Sequence, residues 1–303
     1  MIAMMKLADK QLKGSFPPLV TPFKEDGSVD YDTYAELVEF QVKGGTHGIV
    51  VTGTTGEPSI LTTEERMELL KVAVSAAKKR IQVVAATGTQ NHADTVKMTE
   101  AAEKAGADAL LIVTPYFIRP PARGLEAYYL DLCKRTDLPV MIYHIPGRAA
   151  VTMSADSIAR IADGASNLVG VKHAATDLAL VSELIMKLGP EFRIHVGLEE
   201  LSFPMVCLGA HGLMNAAGNL LPGKIAELYT ATASGDLKRG RALHYELYEI
   251  NAAIFYDINP IPMKYMMKRL GILPNELHRL PMVPSTPELR TRLDGVLSRA
   301  GLI

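Results

Sequence analysis

What most constrains the fold of this chain is a repeating beat. Short apolar, strand-like runs alternate with helix-like stretches, joined by brief connections, from residue 14 to about residue 235. The strand-like runs fall near 15–22, 47–53, 82–87, 108–114, 139–145, 167–174, 192–197 and 211–217. Their nearly continuous β-branched and apolar character suits strands buried on both faces of a parallel sheet. Between them, stretches such as 63–78, 93–105, 125–135, 155–161, 178–188 and 224–233 carry apolar residues at helical spacing. This repeat predicts a (β/α)8 TIM barrel over residues 1–235. A doubly wound sheet is the competitor, but no Gly-x-Gly-x-x-Gly turn follows an early strand. Residues 236–303 read as helices alone, over 239–255, 262–269 and 287–299, punctuated by Pro260, Pro262, Pro274, Pro281 and Pro284. They are expected to form a C-terminal helical extension packed on the barrel.

The 303 residues are 48% hydrophobic, enough to bury the core of one large α/β domain. The 32 Lys and Arg against 33 Asp and Glu are spread without long runs, which argues against a nucleic-acid face or a polybasic membrane patch. Cys133 and Cys207 each fall in a helix-like segment, so a disulfide framework is not expected and a reducing cytoplasm is. The opening Met-Ile-Ala-Met-Met-Lys is too short for a signal-peptide core. No apolar run approaches the roughly 18 residues of a membrane span.

In barrels of this kind the chemistry sits at the C-terminal ends of the strands. There the chain places Lys172, inside the apolar run 167–175, where an ammonium would lose hydration. Burial favours the neutral amine, a nucleophile able to form a Schiff base with a ketone; the plainer reading is a lysine whose head reaches solvent at a strand mouth. Tyr143 ends the preceding strand and can share one mouth with Lys172, where a phenol can shuttle protons; otherwise it is a rim tyrosine with a satisfied hydroxyl. Residues 53–57, Gly-Thr-Thr-Gly-Glu, join a strand to a helix and bring two hydroxyls and several N–H groups together, a fit for a carboxylate or simply a capped turn. Arg148, just past Pro146, is placed to hold a carboxylate in a bidentate pair, or is a surface arginine. His144 and His173 each follow an inward candidate and should face the helices. With His195 they offer no H-x-H or HExxH spacing, and no metal or other cofactor is expected.

Together these residues resemble the dihydrodipicolinate synthase / N-acetylneuraminate lyase family of class I lyases and aldolases. The resemblance runs from Gly14-Ser-Phe-Pro-Pro-Leu-Val-Thr-Pro-Phe to Asn259-Pro-Ile-Pro-Met-Lys, and its strongest pieces are Gly53-Thr54-Thr55-Gly56-Glu57, Tyr143-x-x-Pro146 and Gly170-Val171-Lys172. It implies that Lys172 captures a 2-oxo acid as a Schiff base, that Tyr143 transfers protons, and that Thr54 belongs to the proton relay. The substrate-contacting set it implies is Thr55, Gly56, Arg148 and Met214, with Arg148 matching the arginine that holds the carboxylate of aspartate semialdehyde. It also implies a homotetramer.

Three features depart from the synthase pattern. Phe117 stands where the synthases usually carry a second tyrosine that reaches into the neighbouring subunit. His173 stands where a Glu is typical, and Arg66, Gln90 and Asp94 replace the His, Asn and Glu of the lysine feedback site. The expected activity is therefore a Schiff-base lyase acting on pyruvate or a related 2-oxo acid with an aldehyde partner, closest to dihydrodipicolinate synthase. The alternatives are a related aldolase or dehydratase of sugar-acid or aromatic catabolism, a metal-dependent aldolase, and a non-catalytic 2-oxo acid binding protein.

Overall fold

A computed structural model describes residues 4–303; residues 1–3, the start of the apolar opening stretch, lie outside the described part. The barrel half runs β1 (Gly14–Ser15), α1 (Tyr31–Lys43), β2 (Gly48–Val51), α2 (Thr63–Ala77), β3 (Gln82–Ala86), α3 (His92–Lys104), β4 (Ala109–Val113), α4 (Ala122–Cys133) and β5 (Val140–His144). It continues with α5 (Pro146–Ala149), α6 (Ala155–Gly164), β6 (Leu168–His173), α7 (Leu178–Leu188), β7 (Arg193–Val196), α8 (Ser202–Cys207), β8 (Gly212–Leu213) and α9 (Pro222–Ala233). Then come α10 (Leu237–Ala253), α11 (Ile261–Arg269) and α12 (Pro287–Arg299). All strand pairings are parallel, in the order β1-β8-β7-β6-β5-β4-β3-β2. The ring closes between β1 and β2 through Pro18 against Val50, with Val50 N–H donating to Pro17 O at 2.9 Å and Leu19 N–H to Val50 O at 3.1 Å.

The first and last strands are shorter than their apolar runs predict. Pro17 and Pro18 have no N–H to donate, so the ladder after Ser15 is reduced to isolated bonds. Beyond Leu213, one further bond from Met214 N–H to Val196 O extends β8 before a 3-10 turn at Ala216–Asn219. Side-chain alternation divides the interior in two. Leu12, Phe16, Val50, Val84, Leu111, Met141, Val169 and Met214 fill the barrel lumen. A larger cluster, including Ile49, Leu110, Ile142, Val171 and Ile194, packs the outer strand faces against the helices.

One irregularity decides where Lys172 points. Leu168 faces the helices and Val169 the lumen, so strict alternation would turn residue 172 outward. The register between β5 and β6 slips at Val140/Met141: Val140 pairs with Leu168, but Met141 pairs with Gly170. This bulge inverts the parity, after which Tyr143 pairs with Lys172 and His144 with His173. Gly170 sits at the slip, where a Cβ would lie 2.3 Å from Arg193 O. The glycine of the Gly170-Val171-Lys172 motif is thus a packing requirement of the bulge that aims the lysine.

The C-terminal helices pack on the barrel and reach its mouth. Asn259 Nδ2 donates to Thr55 Oγ1 at 2.9 Å, and Lys264 and His278 both contact Glu57. Arg279 forms a two-pronged pair with Glu65 at 2.6 and 2.8 Å. No described helix is long and apolar enough to cross a membrane.

Candidate active site

The loop between β2 and α2 is held in an unusual shape. Thr52 (φ 52°) and Glu57 (φ 56°) both adopt the left-handed conformation, uncommon for non-glycine residues and most of all for a β-branched one. Each is secured: Thr52 Oγ1 donates to Ala86 O at 3.0 Å, and the Glu57 carboxylate is gripped by Lys264 at 2.5 Å and by His278 at 3.0 Å. Gly56 closes the turn, its N–H on Gly53 O at 2.8 Å and its carbonyl accepting from Thr21 Oγ1 at 2.7 Å. The backbone N–H groups of Thr54 and Thr55 donate to no described protein acceptor. They stand ready for an oxyanion. A capping box between Thr62 and Glu65 then starts α2.

Tyr143 and Lys172 emerge on adjacent strands into the same lumen, the slip at Gly170 having turned Lys172 inward. The Tyr143 hydroxyl lies 3.2 Å from Thr54 Oγ1, and Lys172 Nζ sits 4.2 Å from the centroid of the Tyr143 ring. Lys172 is 4% exposed. Its Cε occupies the room left by Gly197, where a Cβ would come within 2.9 Å.

A cavity of about 470 Å³ opens above this pair. Thr54, Tyr143 and Arg148 line it, as do Thr52, Arg66, Tyr116 and Glu57. Lys172, Thr55, Gly56 and Met214 are not on the lining. Lys172 lies against the Tyr143 ring that is; Thr55 is buried under Asn259, and Met214 belongs to the lumen core. Arg148 is exposed in the short α5 and its guanidinium makes no bond to a described protein group, free at the rim. Phe117 (φ 71°) is 89% exposed and is not part of the lining. Gln90 and Asp94 are exposed at the start of α3, and only Arg66 of that trio reaches the cavity.

His144 and His173 face the helices, as alternation from Tyr143 and Lys172 requires. His144 and His173 stack on the helix side, 5.4 Å between ring centroids and 11° between planes. Met153 N–H donates to His144 Nε2, so His144 Nδ1 donates to His173 Nδ1 at 3.2 Å, and His173 Nε2 donates to Asp177 O. Burial, and for His144 the neighbouring ring, lower both from the usual imidazole range, His144 to about 4. His195 pairs with Lys172 in register and so faces the lumen, where it donates to Leu12 O and burial pushes it down to about 3. No three His, Cys, Asp or Glu among the described residues are grouped to hold a metal ion.

Sequence reasoning missed Glu199. It is wholly buried, one carboxyl oxygen accepting from Ala216 N–H at 2.6 Å and the other without a partner. Burial raises it to about 7, with the Lys172 charge among the influences pulling it back. Its neighbour Glu200 gives the pair the look of a solvated turn, so no local signal marks it.

Residues 11–300 match the model of the dihydrodipicolinate synthetase family. The chain belongs to that family. It is 39% identical to the 4-hydroxy-tetrahydrodipicolinate synthase of Thermus thermophilus, over 96% of this chain and 97% of that one. The synthase of Aquifex aeolicus is 38% identical over 96% of this chain and 98% of its own length. Among solved structures, the A. aeolicus dihydrodipicolinate synthase superposes with a TM-score of 0.93 at 38% identity, covering 96% and 98% of the two chains. The chloride-inhibited Acinetobacter baumannii dihydrodipicolinate synthase complexed with pyruvate gives 0.93 at 33%, covering 97% and 100%. As a family member the protein is a class I lyase built on a TIM barrel.

Proposed function

We propose that the protein condenses pyruvate, or a close 2-oxo acid, with an aldehyde through a Schiff base on Lys172, in the manner of a 4-hydroxy-tetrahydrodipicolinate synthase. The observation that carries this reading is the register pairing of Tyr143 with Lys172, with the Tyr143 hydroxyl 3.2 Å from Thr54 Oγ1. The neutral Nζ adds to the keto carbon, and loss of water from the carbinolamine leaves an iminium. The iminium withdraws electrons from C3, which loses a proton to give an enamine. That carbon attacks the aldehyde, the new alkoxide takes a proton, and water adds back to the iminium to release the product and return the Lys172 amine. Tyr143 is the group placed to carry these protons, passing them to Thr54. The free N–H groups of Thr54 and Thr55 suit the 2-oxo acid carboxylate, and Arg148 suits an acidic group on the aldehyde. Gly56 shapes the turn, and Met214 supports the lumen beneath.

A cytoplasmic homotetramer belongs to the same reading, supported by Phe117 and Ile118, 89% and 58% exposed on one loop beside the cavity. The second reading, a related 2-oxo acid aldolase or dehydratase, draws on Phe117, which brings no hydroxyl to a relay.

The test is borohydride reduction in the presence of pyruvate. One reduced pyruvyl group on Lys172 is expected; labelling elsewhere, or turnover by Lys172→Ala, would refute the assignment. A panel of aldehydes and 2-oxo acids separates the synthase from its relatives. Arg148→Ala should weaken acidic aldehydes by about 1.5–3 kcal/mol relative to neutral ones. Equal loss for both would make Arg148 structural.

A further inference from the structure

Arg66 is a buried cation with no counter-charge. It is 7% exposed, and its one side-chain hydrogen bond runs from Nη2 to Ala86 O at 2.9 Å. Its Nε is buried without an acceptor, and Nη1 donates to no described protein group. Every other buried cation in the described chain has more: Lys264 has Glu57 and the Leu277 carbonyl, and Arg193 has Glu191 and the Gln11 carbonyl, Lys172 alone excepted. Burial lowers Arg66 only to about 10, so it stays charged near neutral pH. A guanidinium removed from water is costly unless anions or acceptors face it.

What faces it is the cavity over Tyr143. The charged residues on that lining are Arg66, Arg148 and Glu57, and Glu57 is already neutralised by Lys264. The cavity therefore presents two uncompensated guanidinium groups. Tyr116, also on the lining and close enough to influence Arg66, adds a hydroxyl. An amine ligand would want a free acid here, and Gln90 and Asp94 are exposed and off the lining.

We propose that Arg66 anchors an anion subsite in this cavity, separate from the Thr54–Gly56 loop, taking a carboxylate or phosphate group. The anion comes from one of two sources, the distal acidic group of a substrate or a free anionic effector. Only the choice between these sources rests on the lyase reading above; the subsite itself does not.

The test begins with calorimetric titration of the full-length protein with glutarate, a dianion with no keto group to condense with a lysine. Glutaramide, its neutral analogue, should bind at least about tenfold more weakly. Arg66→Met should weaken glutarate about tenfold or more, and Arg66→Lys several-fold, since an ammonium lacks the planar fork. Should Arg66→Met fail to fold, Arg66→Lys and the glutarate–glutaramide contrast decide. Equal binding of the two ligands, or glutarate affinity unchanged in the folded Arg66 variants, overturns the proposal.

Borohydride capture rates then identify the source. If the anion is part of a substrate, Arg66→Met lowers the ratio of 2-oxoglutarate to pyruvate capture about tenfold. If it is a free effector, that ratio holds, and glutarate alters pyruvate capture in the unmodified protein but not in Arg66→Met. Complete absence of capture refutes the lyase reading while the titration still supports the subsite.

Discussion

Two buried lysines sit at the mouth of this barrel, and they differ in one respect. Lys264, in α11, is 1% exposed, lies 4.4 Å from the centroid of Phe23, and is held by Glu57 at 2.5 Å and Leu277 O at 2.9 Å. Lys172, in β6, is 4% exposed and lies 4.2 Å from the centroid of Tyr143, with no carboxylate paired to it. Burial and an aromatic face are common to both, so neither marks a reactive amine. The absent counter-charge does. A paired ammonium is held in place by its carboxylate and serves as a strut, even though burial lowers Lys264 from the usual lysine range. An unpaired one in the same setting has no carboxylate to hold it away from a carbonyl. In the proposed reading the C-terminal extension supplies the strut that braces the 53–57 loop, and the barrel supplies the nucleophile.

The sharpest test of that contrast is substitution by arginine at position 172. Guanidinium stays protonated and cannot condense with a ketone, so Lys172→Arg should abolish borohydride capture of pyruvate altogether. Residual capture at that position would show that an amine there is not what the chemistry uses.

Next in size is Tyr143→Phe, which keeps the ring beneath the cavity and removes the hydroxyl that meets Thr54. A fall in kcat of roughly 10²–10⁴ is expected, with little change in KM. A change confined to KM would make Tyr143 a binding group and leave Lys172 without its proton carrier.

For the other lysine the expectation is a loss of stability. Lys264→Met leaves Glu57 buried with only His278 beside it, and breaking a buried pair this way costs about 3–5 kcal/mol. Chemical denaturation measures that cost. Adding Glu57→Gln should recover much of it, because replacing both charges removes the stranded one. If Lys264→Met were neutral, the pair would not brace the loop.

These contrasts also show where the sequence could be read and where it could not. The barrel was legible because buried parallel strands leave nearly continuous apolar runs, and proline at β1 and an early turn at β8 account for the two strands that fall furthest short of their runs. Tyr143, Thr54 and Arg148 were findable from their places at strand ends, and the structure brings all three to one cavity. That Lys172 faces inward was right for a reason the sequence hides: counting alternation from Leu168 gives the wrong face, and the slip at Gly170 corrects it. Glu57 with His278, 221 residues apart, and Asn259 with Thr55, 204 apart, are long-range meetings that no local spacing announces. Arg66 lies in an amphipathic helix where an arginine ordinarily points to water, and only the packing shows it turned inward.

The smallest effect concerns the carboxyl that Lys172 has in place of a partner. Glu199 is wholly buried, and the desolvation that raises it to about 7 outweighs the Ala216 N–H and the Lys172 charge, both of which favour ionisation. Glu57 pairs with its lysine; Glu199 holds its proton. The sign of its contribution to stability follows. Below the ordinary glutamate value of 4.5, folded and unfolded chains both keep the proton and the raised pKa costs nothing. Between 4.5 and about 7 the unfolded chain releases it while the folded chain does not, so stability falls as pH rises, and above about 7 the penalty levels off. Glu199→Gln keeps an oxygen for the Ala216 N–H and removes the titration. Its melting temperature relative to the parent protein should therefore climb between pH 4.5 and 7 and then hold steady. A difference that stayed flat with pH, or fell, would mean that Glu199 is ionised beside Lys172 after all, and the distinction between the paired and the unpaired lysine would be lost.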